Sequence, residues 1–173
     1  MSGKVTNQMI WSGIGFALNK GALFYAIMLS SHCLPTADYV HYSLFLLAVN
    51  IFSGIVGGSL SLMANRYAYK KKLSVGLWVI IGLFSFLSAG VYFVYTFLNR
   101  DMLAYSAGIR SMEAVYVFGM TFLTSMNGIY YGQSRFKEYA LINVFVGLGT
   151  VLLITPVLLL WENYFWFLLV SFI

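Results

Sequence analysis

Residues 73–98 read LSVGLWVIIGLFSFLSAGVYFVYTFL and contain no Asp, Glu, Lys, Arg or His. As a helix rising about 1.5 Å per residue, this stretch covers the roughly 30 Å of bilayer hydrocarbon with room for tilt. A helix is the form such a segment takes there, because every backbone N–H and C=O in hydrocarbon must be paired within its own segment. Working outward, four more stretches qualify as complete spans: 10–31, 40–64, 112–131 and 139–160. Beyond the polar break Trp161-Glu162-Asn163, residues 164–173 are strongly apolar. As a helix they climb only about 15 Å, half a span. The expected fold is therefore all-α: a multi-pass transmembrane bundle forming a single domain over 1–173, with five complete spans and the start of a sixth.

Composition supports this solvent. The chain has 173 residues, 61% of them hydrophobic and 9% charged, with a mean hydropathy of +0.84. A soluble domain carries about a quarter charged residues, which five acids and ten bases do not supply. The net charge of +5 sits in short clusters between apolar runs, which argues against a nucleic-acid partner and against a disordered tail. Cys33 is the single cysteine, so it forms no intramolecular disulfide and reads as a small apolar side chain near a helix end. The first apolar stretch lacks a small-x-small cleavage pattern and reads as a retained span.

The breaks fit the spans. Pro35, Thr36 and Asp38 form a turn between the first two, and Asn99-Arg100-Asp101 closes the third. Pro156 removes a backbone hydrogen bond from the fifth, a loss that Thr155 is expected to repair in part. Counting bases by alternate loops places Lys4, Arg66, Lys70, Lys71, Lys72, Arg135 and Lys137 on one side, against Arg100 and Arg110 on the other. Lys and Arg stay cytoplasmic, so the N-terminus is expected inside. Asp38, Asp101, Glu113 and Glu162 then fall outside, with Glu138 inside.

Nothing in the sequence resembles a hydrolytic or redox site, and no Gly-rich loop ends in Lys-Ser or Lys-Thr to cradle a nucleotide phosphate. The expectation is a protein without catalytic residues, cofactor or metal. His32 and His41, with Asp38 between them, read as helix-end side chains at the headgroups rather than as metal ligands. Lys20 breaks the pattern. It lies midway along the first span, where an isolated cation costs about 3 kcal/mol even on lenient insertion scales. Two readings stand for it: a cation facing a hydrated cavity, or a snorkelling side chain with a structural partner. Asn19, Asn50, Asn127 and Asn143 are the further intramembrane polar groups, as interhelical glue or as cavity lining. Gly54 with Gly58, and Gly128 with Gly132, are four residues apart and form small faces for close helix approach. The aromatic residues read as interface and lipid contacts, and Lys70-Lys71-Lys72 as an orientation signal that also suits anionic headgroups.

Three stretches together resemble polysaccharide flippases of the Wzx type, within the multidrug, oligosaccharidyl-lipid and polysaccharide exporter superfamily. Residues 34–42, LPTADYVHY, are similar to that family's outer turn between its first two helices. Val40 stands where members often carry Gly, and Pro35-Thr36 replaces the usual Gly-Pro order. Residues 59–68, SLSLMANRYA, are similar to the small-residue end of the second helix with its Arg-Tyr, and residues 128–140, GIYYGQSRFKEYA, to the fourth-to-fifth connection. The resemblance covers nearly the whole chain. It implies the N-terminal lobe of a twelve-helix inner-membrane transporter that moves an undecaprenyl-pyrophosphate-linked oligosaccharide to the periplasmic leaflet, for O-antigen or other surface polysaccharide. Lys20, with Asn19, Asn50, Asn127 and Asn143, would line the substrate cavity, and Arg66 and Arg135 would assist at the cytoplasmic mouth. The partners implied are the lipid-linked oligosaccharide, membrane lipids, and a second lobe or the polymerase and glycosyltransferases of the same assembly. An ion-coupled drug or cation exporter of the same superfamily is the alternative cargo reading. A non-transporting scaffold for polysaccharide enzymes is the alternative from a different class.

Overall fold

The computed structural model describes residues 2–70, 74–99 and 107–161. Every regular element in them is helical: α1 (Ser2–Cys33), α2 (Thr36–Ile51), a π-helical segment (Phe52–Gly57), α3 (Gly58–Tyr69), α4 (Val75–Leu98), α5 (Ala107–Gly132) and α6 (Phe136–Trp161). The expected partial span 164–173 lies outside the described residues, as do Lys71, Lys72, Arg100, Asp101 and Glu162.

Four helical stretches are long and apolar enough to cross a membrane: Ile10–Cys33, Thr36–Tyr69, Val75–Leu98 and Phe136–Leu160. The second is continuous through the π segment. The stretch 112–131 also lies in a helix, α5, but is not among these four. Its apolar character is diluted by the polar groups it buries, Glu113, Thr121 and Ser125. The helices run a few residues past the apolar stretches, since polar residues continue a helix as readily into the headgroup region.

The chain divides into two compact units, Met1–Tyr39 with Ser134–Ile173 and Val40–Gln133. Unit 1 pairs α1 with α6. Its contacts run in step along both helices: Gly15 meets Ala140, Gly147 meets Leu18 and Ala22, and Tyr25 meets Thr155. The offset stays nearly constant, so α1 and α6 are parallel. Glycine and alanine at these crossings let the backbones approach closely, which is how helices associate where lipid competes with every apolar contact. Pro156 lies inside α6. Thr155 Oγ1 donates to Val151 O at 2.6 Å, whereas the carbonyl that Pro156 deprives of a donor is that of Leu152. The expected repair is therefore not what Thr155 does. With its proton on Val151, Thr155 accepts from the Tyr25 hydroxyl at 3.1 Å and ties α6 to α1.

Unit 2 comprises Val40–Gln133. Here α5 lies alongside the α2–π–α3 stretch and parallel to it, with Gly57 against Thr121 and Thr124, Gly128 against Ser61, and Gly132 against Asn65 and Ala68. The α4 helix packs antiparallel to α5. Leu77 and Ile81 of α4 share an apolar cluster with Ile129, Ala64 and Ala68 at one end, and Tyr92 meets Glu113 at the other. Of the two glycine pairs read from the sequence, Gly128 and Gly132 form a close-approach face. Gly54 and Gly58 have open space around them, and Gly57 takes the contact instead.

The distribution of polarity in α4 reverses that of a water-soluble helix. Its buried stripe includes Ser85, Ser88, Tyr92 and Thr96, while Val75, Val79, Leu83, Phe86 and Leu98 are exposed. Soluble proteins rarely expose contiguous apolar surface on this scale. An outside more apolar than the inside is stable only where the surroundings are themselves apolar.

Candidate functional site

The most polar buried cluster described in unit 2 joins three helices. Glu113, in the second turn of α5, is fully buried. His41, near the start of α2, donates from Nε2 to Glu113 Oε1 at 2.6 Å. Tyr92, two turns before the end of α4, donates its hydroxyl to Glu113 Oε2 at 2.8 Å. Each carboxylate oxygen thus has a donor from a different helix. Phe45, one turn after His41, closes the site with edge-on contacts to Tyr92 (6.0 Å) and Tyr116 (5.3 Å between centroids). The parallel course of α2 and α5 sets His41 beside Glu113, and the antiparallel return of α4 sets Tyr92 there too. All three residues lie within about 10 Å of their helix ends along the axis, at the same end of the unit.

Two further buried hydroxyls lie deeper in unit 2, Ser85 on α4 and Thr121 on α5. Ser85 Oγ and Thr121 Oγ1 have no hydrogen-bond partner among the described residues, and both side chains are fully buried. Ser88 and Ser125 instead bond back to the carbonyls of Phe84 and Thr121.

The residues singled out from the sequence are dispersed over both units. Asn19 and Asn143 come together in unit 1, Asn19 Nδ2 donating to Asn143 Oδ1 at 3.0 Å. Asn143 Nδ2 bonds back to Tyr139 O, so both polar ends of Asn143 are engaged. Lys20, one residue on and about 100° around the helix, is exposed. Its Nζ lies 5.9 Å from the centroid of the Phe16 ring, and no carboxylate among the described residues forms an ion pair with it. In unit 2, Asn50 is exposed and Asn127 half-buried. Arg66 is exposed in the last turn of α3. Arg135 pairs with Glu138 at the start of α6, Nε donating to Oε1 at 2.8 Å, and Lys137 lies 5.7 Å from the Trp11 ring. His32 does not join His41: its Nδ1 bonds to Met28 O at 2.9 Å. Among the described residues no three His, Cys, Asp or Glu side chains are placed to hold a metal ion.

The sequence reading missed the His41–Glu113–Tyr92 cluster because it started the fourth span at residue 112, which left Glu113 at the water boundary. The helix includes Ala107, more than a full turn before residue 112, and carries Glu113 inward.

Fold and site define a class: an all-helical protein whose long apolar helices are compatible with a membrane and enclose a buried carboxylate–imidazole pair. Family models, curated proteins and solved structures were each compared with the chain, and none matches.

Proposed function

We propose that the chain is a polysaccharide flippase, or its N-terminal lobe, which carries an undecaprenyl-pyrophosphate-linked oligosaccharide across the bacterial inner membrane without itself catalysing a reaction. Lys20 is the observation that carries this reading. An ammonium held mid-span, exposed and without a carboxylate partner among the described residues, is costly unless an anion comes to it. A pyrophosphate crossing hydrocarbon needs such a cation in turn, whereas a cationic cargo would be repelled. Within unit 1 the reading rests on Lys20 alone, since the amides of Asn19 and Asn143 bond to one another and to Tyr139 O.

The topology we assign has five crossings, a cytoplasmic N-terminus and a sixth span begun by 164–173. Helix direction supports the count. In unit 2 α5 runs beside Thr36–Tyr69 and in the same sense from His41–Glu113 at one end to Asn65–Gly132 at the other, so it traverses the same depth despite its polar face. In unit 1 α1 and α6 are parallel, as a first and a fifth crossing must be. The seven-to-two distribution of bases then orients the whole. A membrane-impermeant thiol reagent should reach a cysteine at Lys70 only from the cytoplasmic side, in a Cys33→Ser background.

The functional test is complementation of a flippase-deficient strain. Wild type and Lys20→Arg are expected to restore surface polysaccharide, and Lys20→Ala to fail at equal membrane abundance. Unchanged polysaccharide with Lys20→Ala would remove the residue on which this reading stands.

A further inference from the structure

The buried cluster in unit 2 is not among the residues to which the flippase reading gives a role. We propose that Glu113, held between His41 and Tyr92, is a proton-binding site, continued into the unit by the hydroxyls of Ser88, Ser85 and Thr121 as a hydrated path.

Cost is the first argument. A carboxyl group sealed among apolar helices contributes little that a well-packed hydrophobic residue does not contribute better. Ionisable groups retained inside membrane bundles mark ion and proton pathways. The carboxyl is also held so that either protonation state is accommodated. As a carboxylate it accepts from His41 and Tyr92. As an acid it donates to the imidazole, whose Nε2 then accepts.

Register supplies the second argument. The Tyr92–Glu113 bond at one end and the Leu77, Ile81 and Ile129 cluster at the other fix α4 antiparallel to α5. Ser85 lies seven residues before Tyr92, and Thr121 eight residues after Glu113, which is about 10 and 12 Å along the respective axes. The two hydroxyls without partners therefore sit at the same depth, one on each helix, with Ser88 between that level and Tyr92. A buried hydroxyl left unbonded costs about 1–3 kcal/mol. Two such hydroxyls at one level supply polar partners of the kind an internal water requires.

Among the described residues, the ionisable groups at this end of the three helices are Asp38, Tyr39, His41 and Tyr42 on α2, Tyr92 and Tyr95 on α4, and Arg110 and Tyr116 on α5, each of the last two being three residues from Glu113. The π segment has none, and those of α3, namely Arg66, Tyr67 and Tyr69, lie at its far end, near the level of Gly132. On uptake, an O–H bond of hydronium breaks as a carboxylate lone pair takes the proton, leaving water and the neutral acid. Release is the reverse, and nothing is oxidised or reduced.

The test uses the purified full chain in detergent, followed by infrared difference spectroscopy as the pH is stepped down from neutral. Wild type should develop a single buried carboxylic-acid C=O band, and Glu113→Gln should lose it. Absence of the band in wild type, or its persistence in Glu113→Gln, overturns the proposal. Should Glu113→Gln lose its helical circular dichroism, His41→Gln decides: the band must shift in frequency because its hydrogen-bond partner has changed, and an unshifted band overturns the assignment. Ser85→Ala with Thr121→Val should keep the band but slow its deuterium exchange several-fold, and unchanged exchange refutes the path. Lys20→Ala should leave every one of these signals intact, so failure here is distinguishable from failure of the flippase reading.

Discussion

The Nε2 atom of His41 and the Oε1 atom of Glu113 are 2.6 Å apart, brought together across 72 residues of chain. The pair fixes where α2 and α5 meet, yet its net contribution to stability should be small, because desolvating two ionisable groups offsets most of their attraction. Removing one partner strands the other. His41→Leu or Glu113→Leu alone is expected to cost about 3 kcal/mol, whereas the double variant, made with Tyr92→Phe so that no hydroxyl is stranded, should return to within about 1 kcal/mol of wild type because apolar packing replaces the polar pair. Denaturation of the purified chain in mixed detergent measures all three. Additive losses in the double variant would show that each side chain acts alone.

The α3–α5 contact makes a contrast among glycines. A Cβ on Gly128 would overlap the backbone of Ser61, and one on Gly132 would press on Asn65 and Ala68, while Gly54 and Gly58 have nothing within 4 Å. Gly128→Ala should therefore destabilise by about 1–3 kcal/mol through forced separation of the helices. Gly58→Ala should be neutral or stabilising by up to about 1 kcal/mol, since alanine restricts the unfolded chain and favours the helix. The same unfolding assay distinguishes them, and equal effects at the two positions would contradict the packing described.

These comparisons also show what the sequence disclosed. Hydropathy located the apolar cores of four helices to within a few residues, because the length of an apolar run is a property of the chain itself. It placed Gly128 and Gly132 in a close contact for the same reason: small residues four apart lie on one helix face. It did not separate them from Gly54 and Gly58, because which face meets a neighbour depends on the fold. His41 and Glu113 were harder still. Each looks like a boundary residue when its own helix is read alone, and only the parallel course of α2 and α5 reveals that the two meet. Asn19 and Asn143 were legible as intramembrane polar groups, but their pairing needed the register of α1 on α6.

That register gives a third expectation. Asn19 Nδ2 donates to Asn143 Oδ1 at 3.0 Å, and Asn143 Nδ2 donates to Tyr139 O at 2.9 Å. Hydrogen bonds between membrane helices average about 0.6 kcal/mol and reach about 1.7, so Asn19→Leu and Asn143→Leu should each cost that order. Their effects should be strongly non-additive, since either change alone removes the shared bond. Full additivity in a double-mutant cycle would mean that the two amides do not interact.

The turn between α5 and α6 is stabilised at an unexpected residue. The sequence places Gly132 where a helix commonly stops, and glycine just past a helix end is the usual means of entering the left-handed region. Here Gly132 is still helical and is committed to the contact with α3. The left-handed conformation falls instead on Ser134, at φ 57°, after Gln133 N–H has bonded to Ile129 O at 3.0 Å. An L-residue there carries a steric cost of about 1–2 kcal/mol. Ser134→Gly should therefore stabilise the chain by about 1 kcal/mol, less the entropy that glycine adds to the unfolded state, and Ser134→Val should destabilise it by more, because a β-branched side chain tolerates positive φ least. Gly132→Ser with Ser134→Gly, which restores the common order of residues, should fail to stabilise because the new side chain meets Asn65 and Ala68. If that exchange were stabilising, Gly132 would be serving as the helix stop and not as part of the α3–α5 contact.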